Sequence, residues 1–384
     1  MGAFAAPAFS QFKRVPGASA KTTAESPAPL PPDARTPPDA EPAQATDGDS
    51  TFRIDVRVVS VLATVRDSSG KIVKDLKQED FELLDEGKPE PITYFSRQSE
   101  LGLFLGLLVD TSLSQRSVLN EEKSASLRFL GDVLRPEQDQ AFVIAFNNEV
   151  TLVQDLTATR SQLDAAIKDL KTPDLHFQLG GQPLAGNAFQ GGIGIRIPGA
   201  RVPIGGRRRP QPGSRPPGGG IPEGMGTALF DAIYLAGDEV LRSVNGRKAI
   251  LLLSDGVDFG SKVSEKEAIA AAQRADTLVY SLLHQGDVSA RRRAVRQRSK
   301  EMLEKGREVL ERLSEQTGGR MFEVSKDQSL DAIFGQVQEE LRNQYSLGFV
   351  PGGRDPNTFH KLELKVKNKS YKVQARTGYY PHPA

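Results

Sequence analysis

From Leu101 to Val109 every residue is apolar or glycine, and the run ends on Asp110. A strand with one wet face alternates polar and apolar side chains, whereas a strand apolar throughout must be covered on both faces. Ala249-Ile250-Leu251-Leu252-Leu253 repeats the pattern, and Thr277–Leu283 nearly does. Segments of helical period lie between and around these runs, at about 117–133, 161–170, 228–244, 265–275, 290–315 and 329–341. Further strands are expected at Ala141–Phe146, at an edge position over Val150–Val153, and at Arg320–Val324. Repeated alternation of strand and helix implies parallel strands with right-handed crossovers and helices on both faces. The expected fold class is therefore α/β, a doubly wound, mostly parallel, Rossmann-like sheet over residues 99–343.

The flanks have a different texture. Before the first run, Ile54, Val56 and Val58 alternate with polar residues and Val61–Val65 continues the run. A turn cluster follows at Asp67-Ser68-Ser69-Gly70-Lys71, then short strands at Phe81–Asp85 and Ile92–Phe95. After the last helix, Tyr345–Val350, Lys361–Val366 and Tyr371–Arg376 also read as strands. Neither flank, 51–98 or 344–384, is large enough to bury a core alone. Pairing of the two into one small β sandwich would solve that; two separate β appendages are the alternative.

The 36 Gly and 25 Pro are not spread evenly, and two segments stand out. Residues 1–50 carry Pro/Ala-rich runs such as Ser26-Pro27-Ala28-Pro29 and cannot bury enough apolar surface to offset chain entropy, so a disordered tail is expected. Residues 173–226 hold Gly191-Gly192-Ile193-Gly194, Gly205-Gly206-Arg207-Arg208-Arg209 and Pro216-Pro217-Gly218. A loop of that length inside a compact domain is either functional or disordered.

Several function classes drop out. Lys and Arg (50) balance Asp and Glu (49), so the net charge of +1 gives no reason to expect a nucleic acid partner. With no cysteine, disulfides, thiol catalysis and thiolate metal sites are excluded. The four histidines, His176, His284, His360 and His382, show no metal-ligand spacing, and His284 reads as a strand cap. No stretch reaches the roughly 18 apolar residues that span a bilayer. Met1–Phe12 lacks the charged start and full apolar core of a signal peptide, yet Ala3-Phe4-Ala5 has the form of a cleavage site. Export to the periplasm, envelope or exterior, with a signal lost upstream, stands beside a cytoplasmic chain with an Ala-rich tail. No Gly-x-x-x-x-Gly-Lys-Ser/Thr is present. A phosphoaspartate phosphatase would want Asp where Ser112 stands. Arg291-Arg292-Arg293 reads as part of a solvated helix face, and Met302, Gly306, Val309, Leu310 and Leu313 as its core-facing side. Asp139, Asp258 and Glu223 are weaker candidates for groups behind a site, more simply read as surface charge.

Ligands of open α/β sheets bind outside the carboxyl ends of the strands. Three segments stand there: Asp110, Ser112 and Ser114; Gly226-Thr227; and Ser254-Asp255-Gly256. All offer oxygen donors and none offers nitrogen or sulfur, a set suited to a hard cation: Mg²⁺, or Mn²⁺ or Ca²⁺. Hydroxyls fill the coordination sphere without neutralising the ion, which leaves it attractive to an acidic group. The simpler reading, Asp110 as a helix N-cap with polar first-turn residues, accounts for one segment only.

Asp110-Thr111-Ser112-Leu113-Ser114 matches the Asp-x-Ser-x-Ser element of the metal-ion-dependent adhesion site in von Willebrand factor A domains. Thr227 in Gly226-Thr227-Ala228-Leu229 and Asp255 in Leu253-Ser254-Asp255-Gly256 match that site's threonine and aspartate. The resemblance covers about 101–284 directly and extends more weakly to 343, and the insert before Thr227 departs from the pattern. Asp80-Phe81-Glu82-Leu83, Asp85-Glu86-Gly87 and Gly378-Tyr379-Tyr380 are similar to flanks of a bacterial, acidobacterial-type subgroup. The resemblance implies a metal held by Asp110, Ser112, Ser114, Thr227 and Asp255, completed by a Glu or Asp of a protein ligand, in a binding module rather than an enzyme. Two alternatives remain: an envelope assembly protein using the domain as scaffold, and, more remotely, a metal-assisted hydrolase.

Overall fold

The computed structural model describes residues 58–97, 101–173, 227–285, 300–352, 354–355 and 357–381, with backbone alone for 293–299 and for the pairs Lys13–Arg14, Gln178–Leu179 and Gln182–Pro183. The expectations for the rest of 1–50 and of 173–226, for Ile54, Val56, Glu223, His176 and His382, and for the arginines at 207–209 and 291–292 fall outside the described residues.

Four strands precede the first apolar run: β1 (Val59–Arg66), β2 (Phe81–Asp85), β3 (Lys88–Glu90) and β4 (Tyr94–Ser96). The α/β series is β5 (Leu103–Asp110), α1 (Leu119–Val133), β6 (Gln140–Phe146), β7 (Val150–Thr157), α2 (Arg160–Asp169) and α3 (Leu229–Tyr234). It continues with β8 (Arg247–Ser254), α4 (Glu265–Arg274), β9 (Thr277–Leu283), α5 (Arg293–Thr317), β10 (Met321–Glu323) and α6 (Leu330–Arg342). Four closing strands are β11 (Tyr345–Phe349), β12 (His360–Val366), β13 (Lys372–Ala375) and β14 (Gly378–Tyr379).

The main sheet runs β7-β6-β5-β8-β9-β10, parallel throughout except for antiparallel β7, with Lys13–Arg14 adding a short parallel pairing outside β7. Buried side chains of α1, α2 and α6 cover one face, and those of α3, α4 and α5 the other. This is why β5 and β8 are apolar on both sides: Leu107 and Leu108 point to opposite faces and both are fully buried. The chain winds outwards from β5 through β6 to β7, then returns to start β8 on the other side of β5. The β5/β8 boundary is thus the point where the winding reverses, and the crevice at its carboxyl end is the expected place for a ligand.

The helix expected over 228–244 changes character. It is α-helical to Tyr234 and then widens into i→i+5 turns over Leu235–Leu241, where Gly237 lies against the α4 backbone at Ala271. Strand β7 is longer than the expected 150–153 and bulges against β6.

The flanking strands form two antiparallel sheets, β13-β1-β11-β4 and β14-β12-β2-β3, each drawing on both sides of the α/β unit. They share one core of Val61, Leu83, Tyr345, Leu347, Leu362 and Tyr379 among others, with the Phe81 and Tyr345 rings edge to face at 5.1 Å. This β module sits against the amino ends of β8 and β9. Arg376 donates to Asp276 and to the Ser60 carbonyl, and the buried Glu340 of α6 accepts from Arg66, from Arg320 (3.5 Å) and from Gln374 (3.1 Å).

Candidate metal centre

Asp110 ends β5 at the point of reversal and is fully buried. Its Oδ1 accepts the Ser112 amide (2.9 Å) and its Oδ2 the Ser254 hydroxyl (2.7 Å). Ser112 and Ser114 stand on the turn into α1 with their hydroxyls 2.9 Å apart, Ser112 buried and Ser114 exposed. Asp255 follows β8, is 5% exposed, and accepts the Val257 amide (3.1 Å).

Thr227 reaches the same end by another route. Its amide and carbonyl pair with Phe259 (3.1 and 2.9 Å), tying it to the loop after Asp255. The next residue, Ala228, donates to the Asn147 carbonyl (2.6 Å), and the Asn147 amide group donates to the Thr111 hydroxyl (3.1 Å). Each of the five residues named from the sequence therefore stands at the carboxyl end of the sheet, and contacts run from Thr227 to the Asp110-Thr111-Ser112 turn. The chain leaves the described part at Pro173 at this same end, since Lys123 in the first turns of α1 donates to the carbonyls of Lys168 and Leu170 (2.6 and 3.0 Å).

Two glycines fix the height of Asp255. Gly256 has φ +76°, and a Cβ on it would lie 2.2 Å from the Gly306 carbonyl oxygen of α5. A Cβ on Gly306 would in turn lie 2.4 Å from the Asp255 carbonyl oxygen. Helix and loop meet backbone to backbone, a distance only glycine permits.

The electrostatics fit a cation. Burial, and then the negative charge of Asp255, push the Asp110 carboxyl up to about 7 against the hydrogen bonds from Ser112 and Ser254. Beside them, burial raises the Glu122 carboxyl, opposed by the hydrogen bond and charge of His284, with Glu121 and Asp255 adding to the rise. Two buried carboxylates at one sheet end, with hydroxyls of Ser112 and Ser254 on Asp110, form a hard-oxygen set in which a divalent ion would relieve the repulsion that burial creates.

Sequence reasoning missed several groups here. Ser254 was part of the strand-end segment but had no role; it holds Asp110 Oδ2. Glu122 is buried at 1% exposure with His284 Nδ1 at 3.2 Å from its Oε1, so His284 does end its strand but against a carboxylate of α1. The signal was present: Glu122 occupies the helical stripe of Leu119, Ala125, Ser126 and Phe129, where a core residue belongs. Asp258 is not a surface charge. It accepts the Leu229 amide (3.0 Å) at the start of α3, two residues after Thr227. Asp139 is buried too, but at the opposite end, accepting the Leu103 amide (2.7 Å) and pairing with Arg135. In the β module, Asp85, Glu86 and His360 bring ligand atoms within 4.8 Å of one another, although Arg354 (2.9 Å) and Tyr379 (3.2 Å) already satisfy Asp85 Oδ2.

No family model matches the chain, and no curated protein matches it. Among solved structures it is similar to the conserved hypothetical protein BatB from Bacteroides thetaiotaomicron, at 15% identity and TM-score 0.39 over 62% of this chain and 97% of that one. It is similar to a von Willebrand factor type A protein from Catenulispora acidiphila, at 10% identity and TM-score 0.41 over 86% of this chain and 76% of that one. A third likeness is to proximal thread matrix protein 1 from the mussel byssus with a zinc-occupied adhesion-site motif, at 14% identity and TM-score 0.40 over 68% and 50% of the two chains. Likeness at this level leaves the function to be argued from the site itself.

Proposed function

We propose that the chain is a protein-binding module of the von Willebrand factor A type whose carboxyl-end site holds a divalent cation, Mg²⁺ in the first instance. Asp110, Ser112, Ser114, Thr227 and Asp255 hold it directly or through water. The observation that carries this reading is Asp110 itself: a fully buried carboxylate, hydrogen-bonded by hydroxyls and an amide and pressed by the charge of Asp255. A cation with hydroxyl ligands keeps net positive charge, so an acidic side chain of a partner protein completes the sphere. The chain's own groups do the positioning: Ser254 orients Asp110, and the Gly256–Gly306 contact sets Asp255. We read the protein as a binder rather than an enzyme, acting at the cell envelope or outside the cell, with the β module as a domain of its own.

Calorimetry with Mg²⁺ and Mn²⁺ tests the site. Changes to groups behind metal ligands cost about 10–100-fold in affinity, so Asp110→Ala, which removes a ligand, should cost about a hundredfold or more. A pull-down with Mg²⁺ against EDTA then tests the partner: capture that persists in EDTA and in Asp110→Ala sinks metal-dependent binding and favours the scaffold reading.

A further inference from the structure

A cavity of about 370 Å³ lies at the other end of the parallel strands, between the amino ends of β8 and β9 and the inner strands β1 and β11 of the β module. Lys248, Arg247 and Arg376 line it together with, among the described residues, a single carboxylate, Asp276. Arg376 and Asp276 answer each other through a hydrogen-bonded ion pair. The Arg247 guanidinium spends its hydrogen bonds on the carbonyls of Leu341 (2.6 Å) and Leu101 (3.2 Å), which leaves its charge uncancelled by them. Lys248 is only 7% exposed, and its ammonium makes no hydrogen bond or ion pair within 4 Å among the described residues. Its stem is buried and its ammonium opens onto the cavity, where burial works against the charged form and an anion would offset that. Leu62, Leu278 and Val58 supply an apolar wall to the same cavity.

We propose that this cavity binds a small organic anion, a carboxylate on a short apolar stem, with the anionic head on Lys248 and the stem along Leu62 and Leu278. The cavity is concave, largely apolar on one side, and carries a few convergent polar groups at the boundary of two units, where ligand sites concentrate. Burial lowers the Lys248 ammonium from its ordinary value despite the charge of Asp276, and an anion beside it would reverse that. Because the walls come from both the α/β unit and the β module, a bound anion would hold the two together and raise the melting temperature.

Hexanoate is the probe, with hexanol, hexylammonium and inorganic phosphate as controls, read by thermal shift and calorimetry on the full chain. Hexanoate should bind and stabilise, hexylammonium should not, and hexanol and phosphate should bind at least about tenfold more weakly. Lys248→Met should lose at least about tenfold in hexanoate affinity while Lys248→Arg keeps it, and Asp110→Ala at the far end should bind as wild type. Val58→Trp, at a rim position that is 44% exposed, should block the stem without touching the charges, and serves if Lys248→Met fails to fold. Equal binding of hexanol and hexanoate, binding of phosphate alone, or full affinity in Lys248→Met and Val58→Trp overturns the proposal.

Discussion

At the carboxyl end of the parallel strands stand Asp110, Asp255 and Glu122; at the amino end stand Arg247, Lys248, Arg376 and Arg135. The signs differ, and so does the way the charges are answered. Around the amino end and the junction above it, acids meet arginines in pairs with one partner buried: Asp139 with Arg135, Arg376 with Asp276, Glu340 with Arg66 and Arg320. At the carboxyl end, among the described residues, Asp110 receives only hydroxyl and amide hydrogens, and its near neighbour is another carboxylate. The acids of the amino end and the junction are answered by arginines of the same chain, whereas Asp110 is left to hydroxyl and amide donors, the setting that the proposed cation would answer.

The junction gives the largest expected effect. Glu340 is fully buried and ties β1 and β13 of the β module to α6 and Arg320. Removing one partner of a fully buried ion pair typically costs about 3–5 kcal/mol. At Glu340 about 2–3 kcal/mol is expected, because the arginines left behind are 18% and 40% exposed and water answers part of their charge. Glu340→Ala should lower stability by about that amount in urea titrations and leave Mg²⁺ affinity unchanged. A loss below about 1 kcal/mol would place Glu340 with ordinary surface pairs and break the contrast.

The carboxyl end gives a pH signature of intermediate size. The Asp110 carboxyl is held at about 7 in the folded protein against an ordinary 3.8, so between those values the folded state keeps a proton that the unfolded chain has lost. The contribution of Asp110 to metal-free stability is therefore full below about pH 4, is lost as pH rises to about 7, and is absent above. A drop on the order of 5 °C in melting temperature between about pH 5 and about pH 8 is expected without metal. Saturating Mg²⁺ should flatten it, since the ion takes the place of the proton, and Asp110→Asn should flatten it without metal. A profile that rises over this range in EDTA would show that Asp110 is already stabilised as an anion by the chain.

Much of this contrast was legible in the sequence at one end and almost none at the other. The carboxyl end is written in contiguous runs: Val109-Asp110-Thr111-Ser112 and Leu253-Ser254-Asp255-Gly256 carry strand, strand end and donors together. The apolar runs likewise gave the sheet, because burial on both faces leaves no other strand pattern. The junction depends on residues far apart in the chain: Glu340 meets Arg66 across 274 positions, and Arg376 meets Asp276 across 100. Each reads alone as an ordinary surface charge. Lys248 is the clearest case, a single lysine at the second position of a buried strand, where nothing local says that the β module will close over it. Asp258 was misread for the same reason, since its partners on α3 follow the insert rather than adjoin it.

Asp258 provides the smallest test and the one that separates positioning from coordination. Its carboxylate accepts the Leu229 amide at 3.0 Å and the Ser261 hydroxyl, so it caps α3 from the loop after Asp255 and fixes where the chain turns out of Thr227. Loss of a capping side chain typically costs about 1 kcal/mol. Asp258→Ala should show that loss of stability together with a few-fold weaker Mg²⁺ affinity, about 10-fold at most, because Thr227 is displaced rather than removed. Asp258→Asn keeps the acceptor oxygen and should recover most of both. If Asp258→Asn instead loses metal as completely as Asp110→Ala, the charge of Asp258 belongs to the ion and not to the helix, and the boundary of the metal centre moves outward by one residue.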